Sequence, residues 1–186
     1  MSSVFTFHDP ETAPEKSKPL LKQLLAQSGP NGFYAVTAAS PETLRAYAAL
    51  HQAFSASSLT NEEKTVVWQT INVENECHFC VPAHTYMARA MKVSDAVSNA
   101  LRDETPLPTA KLEALRAFTL LMLCNHGNAS DADIAAFLDA GYTRQNMLEV
   151  VLGMAQKTIS NYVNHLARIP VDPQYETYAW TKAEQP

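Results

Sequence analysis

Apolar side chains recur along this chain three and four residues apart, the period of a helix face, and strand-like alternation of β-branched residues is hard to find. Ser40 followed by Pro41 predicts an N-cap with proline at the first helical position. It opens "PETLRAYAALHQAFSAS", where Leu44, Tyr47, Ala48 and the residues from His51 to Phe54 fall on one side. "LTNEEKTVVWQTI" opens on Thr60 and carries Glu63 three residues on, a capping box. Ser130 and Asp133 repeat that arrangement before "IAAFLDAG", and Gly141 is placed to end the helix. Thr143 caps the longest segment, in which Met147, Val150, Val151, Met154, Ile159, Tyr162 and Leu166 mark an apolar stripe. "TAKLEALRAFTLLMLC" is apolar on most sides, which predicts a helix buried in the middle of a bundle. The expectation is an all-α helical bundle, one domain over residues 18–180, preceded by an irregular arm over residues 1–17.

Composition narrows the classes. A chain of 186 residues buries a substantial core without disulfides or structural metal. A hydrophobic fraction of 46% and a charged fraction of 18% are those of an ordinary globular domain. The net charge of -5, with no lysine–arginine cluster, argues against nucleic acid as a partner. The longest apolar runs are too short and interrupted to span a bilayer. The first residues lack the basic head and apolar run of a secretory signal, so a cytoplasmic location is the default expectation. In a reducing cytosol a close cysteine pair points to catalysis or metal binding rather than to a permanent cross-link.

That pair lies in "ECHFCVPAHTYMARA". In a helix over residues 77–90, Cys77, Cys80 and His84 stand at i, i+3 and i+7, on one stripe. "NVENE" reads as a break between helices, which puts the cysteines near a helix N-terminus, and Pro82 suits the first turn. Free N–H groups and the helix dipole there stabilise a thiolate, and His84 is placed to accept the thiol proton or hold the thiolate. Such a set suits thiol–disulfide chemistry. A thiolate attacks the terminal oxygen of a hydroperoxide and becomes a sulfenic acid, the second thiol condenses with it, and an external dithiol or protein reductant restores the pair. Neither metal nor organic cofactor is required. Zinc ligation by Cys77, Cys80 and His84, with His78, Cys124 or His126 as fourth ligand, stays open, as do two cysteines packed as small apolar residues. Covalent haem is excluded because Val81 stands where C-x-x-C-H needs histidine.

Trp68, Phe79, Tyr86 and Tyr162 read as core or subunit contacts, with Trp68 and Phe79 able to form an apolar mouth at Cys80. His51 and His165 read as partly buried helix residues, and Cys124 with His126 in "CNHGN" as a structural helix terminus.

The stretch "LTNEEKTVVWQTINVENECHFCVPAHTYMARAMKVSD", continued by "LEALRAFTLLML", "SDADIAAFLDAGYTRQNMLEVVLGMA" and "NYVNHLA", resembles the AhpD-like alkylhydroperoxidases of the carboxymuconolactone decarboxylase superfamily, over roughly residues 40–170. The resemblance implies an all-helical fold, assembly as trimers or hexamers, and a peroxidase reaction in which Cys80 attacks, Cys77 resolves and His84 belongs to a proton relay. One position departs. The family's relay glutamate falls on Thr65, whose hydroxyl cannot act as a carboxylate base, while Glu63 faces elsewhere in its capping box. Glu74 and Glu76 flank the motif as candidate substitutes. The relay is therefore incomplete or rebuilt. A disulfide reductase or redox sensor with weak peroxidase activity, and a non-catalytic oligomeric binding protein, are the alternatives; lactone decarboxylation, which does not depend on such a cysteine pair, is a weaker one.

Overall fold

A computed structural model describes residues 4–182, so residues 1–3 of the arm lie outside the described residues. Where the local caps are strong, the helices start where those caps are. Ser40, Thr60, Ser130 and Thr143 each accept the backbone N–H three residues on, opening α3 (Pro41–Ser55), α4 (Asn61–Glu74), α8 (Asp131–Asp139) and α9 (Arg144–Ala167). Before them stand α1 (Lys18–Ser28) and α2 (Gly32–Thr37); between α4 and α8 run α5 (Cys80–Ala90), α6 (Asp95–Arg102) and α7 (Ala110–Cys124). A 3-10 helix, Pro173–Tyr178, follows α9. Among the described residues there is no strand, and the helices form one all-α domain.

The middle of the bundle is α4, not α7. Every α4 residue from Thr65 to Val73 is buried, and α4 packs on α5, α6, α7 and α9. Helix α7 buries only Leu112, Leu115, Phe118 and Thr119, the face turned to α4 and α8. The rest of its apolar surround is half-exposed, because α4, α8 and α9 do not enclose it.

Helix α9 overturns the expectation of an apolar inner face. Its buried residues are mostly polar: Asn146, Glu149, Gln156, Lys157, Ser160, Asn161 and Asn164, with Val150, Gly153 and Ala167. Leu148, Val151, Tyr162 and Leu166 are exposed on the opposite side. Close approach of α9 to α3 and α4 is made at Gly153, where an added Cβ would lie 2.8 Å from Phe54 and 2.9 Å from Val67. That seats the next turn of α9, with Gln156 and Lys157, deep in the bundle.

The ends of the chain close the remaining side. Residues 4–17 hold no helix and lie against their own chain: His8 N–H donates to the Ala35 carbonyl at 2.9 Å, and the Ser17 hydroxyl to that of Ala38 at 2.7 Å. The 3-10 helix packs on α5. Arg102 of α6 pins it by donating to the Tyr178 and Ala179 carbonyls at 3.0 and 3.1 Å.

Candidate active site

The cysteine motif begins where α4 stops. Cys77 N–H donates to the Asn72 carbonyl and Glu76 N–H to that of Val73, at 2.9 and 3.0 Å, the paired bonds of a Schellman end. Glu76 takes the left-handed backbone (φ 51) that this end demands, although it is not glycine. One turn on, Cys80 is the first residue of α5, so the expected helix over residues 77–90 holds only from Cys80. The two sulfurs face each other at 2.6 Å, and Cys80 N–H also donates to Cys77 Sγ at 3.3 Å. Both cysteines are unbridged and buried.

Cys80 Sγ has more donors aimed at it than Cys77 Sγ. Asn161 Nδ2 donates to it at 3.1 Å and Asn164 Nδ2 at 3.4 Å. The Asn161 amide is held in that orientation because its oxygen accepts from Asn75 Nδ2 at 2.9 Å while its nitrogen also donates to Asn72 Oδ1 at 3.0 Å. Asn72 in turn donates to the Cys80 carbonyl and to Gln69 at 3.4 and 3.0 Å. Asn164 Oδ1 is buried without a hydrogen-bond partner among the described residues.

These contacts split the two thiols. For Cys80, burial works against the thiolate. The Cys77 thiol, the Lys157 charge and the Asn161 and Ser160 side chains outweigh it and bring Cys80 down to about 7. Burial, then the neighbouring Cys80, push Cys77 far up, so it keeps its proton and donates it as a hydrogen bond.

His84 lies one turn beyond Cys80 and is buried, as the spacing predicts, but no hydrogen bond joins it to either sulfur among the described residues. Its Nε2 meets Lys157 Nζ at 2.9 Å. Against a protonated Lys157, whose ammonium has only donors, Nε2 is the acceptor and the ring proton is assigned to Nδ1. Burial, then the Lys157 charge, then His51 hold His84 well below the usual histidine range, so it is neutral. Burial lowers Lys157 as well, against the pull of Cys80 and Cys77. His51, on α3, is held down to about 4 by burial and by Lys157; its Nδ1 meets Gln156 Nε2 at 2.9 Å, and Gln156 Oε1 accepts from Trp68 at 2.7 Å.

A cavity of about 340 Å³ opens onto Cys80, His84, Lys157 and Asn164. Its walls are largely aromatic, with Phe33, Tyr34, Tyr47, Phe79 and Tyr175, and α1 contributes Leu24 and Gln27 at the rim. Cys77 does not line it. Phe79 stands at this mouth as expected; Trp68 does not, being buried between His51, Phe54 and His84.

Other sequence candidates fall away from the site. His165 is exposed rather than partly buried, His78 and His126 are exposed, and exposed Cys124 lies 3.7 Å from a Glu74 oxygen. Thr65 donates to the Asn61 carbonyl of its own helix at 2.9 Å, and Glu63 closes the capping box and pairs with Lys111 at 3.0 Å. Glu74 pairs with Lys182 at 3.9 Å, Glu76 is exposed, and neither lines the cavity. Among the described residues no three His, Cys, Asp or Glu side chains are grouped to hold a metal ion, so Cys77, Cys80 and His84 do not form a ligand set. No helix there is long and apolar enough to cross a membrane. The residues missed from sequence are Lys157, Asn161 and Asn164; their signal was a polar stripe through the longest helix, at the same spacing as its apolar one.

The architecture is the AhpD-like fold. The chain is similar to an uncharacterized peroxidase-related protein of Ralstonia eutropha JMP134 with an alkylhydroperoxidase AhpD core, at TM-score 0.83 and 18% identity, over 94% of this chain and 95% of that one. It is also similar to an uncharacterized peroxidase-related protein of Silicibacter sp. TM1040, at TM-score 0.75 and 18% identity, over the same shares of 94% and 95%. No family model and no curated protein matches the sequence.

Proposed function

We propose that the protein is a thiol-dependent peroxidase in which Cys80 attacks the hydroperoxide, Cys77 resolves the product and His84 belongs to the proton relay. The observation that carries this reading is the asymmetry of the pair: Cys80 faces the cavity with its thiolate favoured, while Cys77 stands behind it, protonated, at 2.6 Å. Cys80 sulfur takes the terminal OH of the hydroperoxide and releases the alcohol; Cys77 sulfur then displaces that hydroxyl as water, leaving a Cys77–Cys80 disulfide. An external dithiol or protein reductant returns both thiols, and no metal or organic cofactor enters the cycle. The peroxidase-related neighbours of the same fold support the reaction class. We further propose that the protein works as a homo-oligomer, trimer or hexamer, because Leu148, Val151, Tyr162 and Leu166 leave α9 with an apolar outer face.

A second reading, a disulfide reductase or redox sensor with weak peroxidase activity, draws on Thr65: its hydroxyl donates to the Asn61 carbonyl and, among the described residues, no carboxylate lines the cavity. The two separate on peroxide consumption with a dithiol reductant by wild type, Cys80→Ser and Cys77→Ser. Sustained consumption by wild type alone, with Cys77→Ser stalling after one oxidation of Cys80, is the expected result. A wild type that consumes no peroxide yet exchanges its disulfide with a protein dithiol contradicts the peroxidase and leaves the reductase.

A further inference from the structure

We propose that Lys157 is a catalytic residue of this site: its ammonium group is the counter-ion of the Cys80 thiolate and supplies the proton that leaves with the alcohol. The inference rests on the peroxidase reading above and names what stands in for the carboxylate absent at Thr65.

The geometry leads there by elimination. Lys157 is 1% exposed, on the inner face of α9, and its Nζ has neutral His84 Nε2 as its hydrogen-bond partner. No carboxylate pairs with it among the described residues; the ion-paired lysines are Lys18, Lys111 and Lys182. The titratable groups sharing its cavity are Tyr34 from α2, Tyr47 and His51 from α3, Cys80, His84 and Tyr86 from α5, and Tyr175 of the 3-10 helix, with Cys77 behind Cys80. An isolated buried ammonium is strongly disfavoured and burial lowers Lys157, so it keeps its proton only beside an anion in the same low-dielectric site. Burial holds Tyr34, Tyr47 and Tyr175 in their neutral forms, Tyr86 is exposed to solvent, and a histidine cannot supply a negative charge. Only a cysteine remains, and the Asn161 and Asn164 donors select Cys80 over Cys77.

The reduced site is then an ammonium–thiolate pair of zero net charge facing a cavity that admits an uncharged hydroperoxide. Cys80 S⁻ attacks the terminal oxygen, the O–O bond breaks, and the OH becomes part of the sulfenic acid. The leaving alkoxide takes a proton from Lys157 Nζ and departs as the alcohol. Cys77 sulfur displaces the sulfenic hydroxyl, which leaves as water with the Cys77 proton. Lys157 is now a neutral amine beside a disulfide. An external dithiol, itself oxidised to a disulfide, gives one proton to Cys77 and one to Lys157, restoring the start. His84, whose Nε2 meets Nζ at 2.9 Å, takes its place in the proton relay as the neutral partner that holds Nζ.

The test is Lys157→Met, close in length, without charge and suited to burial, compared with wild type. One readout is the pH dependence of Cys80 alkylation, located by peptide mass spectrometry. The other is the single-turnover oxidation rate with oxidants of graded leaving-group acidity, from tert-butyl hydroperoxide to peracetic acid. The expected result is an alkylation midpoint raised by at least one pH unit. Oxidation by tert-butyl hydroperoxide falls about a hundredfold, in the range of a lost general acid, while peracetic acid, whose leaving carboxylate needs no proton, is affected least. An unchanged midpoint overturns the counter-ion role. An equal loss with every oxidant overturns the acid role, as does a steep leaving-group dependence in wild type alone, which needs no variant to fold. A wild type inert to every hydroperoxide overturns the peroxidase reading and the acid step together, and the alkylation midpoint still decides the counter-ion.

Discussion

At the scale of single residues, one sulfur is distinguished from another of identical chemistry three positions away. Burial raises the cost of a thiolate at both; what differs is the number of positive or N–H groups aimed at each. Cys80 has the Cys77 thiol, the Lys157 charge and the Asn161 amide, and comes down to about 7. The sign of the pH dependence follows. Deprotonation creates the nucleophile, so the rate of Cys80 oxidation rises as pH passes through about 7, and it declines again where Lys157, lowered by burial, loses the proton the leaving group takes. An ordinary thiol would still be gaining near pH 8.5. Stopped-flow oxidation between pH 5 and pH 9, in roughly half-unit steps bracketing the thiol range, checks this. Asn161→Asp, the same shape with a carboxylate in place of the donor, is expected to shift the profile upward by about one unit or more. An unmoved profile would remove the amide from the account.

At the scale of elements, helix ends place the chemistry. A chain with only 5 glycines ends α4, α5, α6 and α7 with Glu76, Lys92, Glu104 and His126 in the left-handed region. The end at Glu76 delivers Cys77 to the mouth of α5. Glu76→Gly relieves that conformation without touching the sulfurs, and a gain of about 0.5–1 kcal/mol in urea unfolding is expected. Gly153→Ala works the other way. Alanine is the better helix former by about 1 kcal/mol, yet its Cβ meets Phe54 and Val67 at 2.8 and 2.9 Å. A net loss of about 1–2 kcal/mol is expected, because overpacking outweighs propensity. The caps at Ser40, Thr60, Ser130 and Thr143 were legible in the sequence because an N-cap is a contact within one turn. The same holds for the cysteine spacing, whose partners lie on one short segment. The inner face of α9 was not legible. Which side of a helix turns inward depends on what the opposing elements offer, and here α4 and α5 offer amides, a histidine and sulfur instead of an oily wall. Lys157 reaches His84, and Asn161 and Asn164 reach Cys80, from more than seventy positions away, a distance no local pattern encodes.

At the scale of the whole molecule, the polar face of α9 completes the site inside and its apolar face is left outside. If that outer face joins copies of the chain, Leu148→Glu combined with Leu166→Glu lowers the sedimenting mass while far-UV circular dichroism is unchanged; an unaltered mass would place assembly elsewhere or deny it. Helix α1 and Tyr175 contribute to the lining of the cavity beside the residues of α5 and α9. The proposed chemistry of the molecule runs through one dithiol, and counting thiols tests it most directly. Reduced protein, treated with one equivalent of an alkyl hydroperoxide, is expected to lose two of its 3 thiols. Peptide mass mapping should then find Cys77 joined to Cys80 in the same chain and Cys124 free. Retention of all thiols, or a product that joins Cys124 or two separate chains in place of that bond, would contradict it.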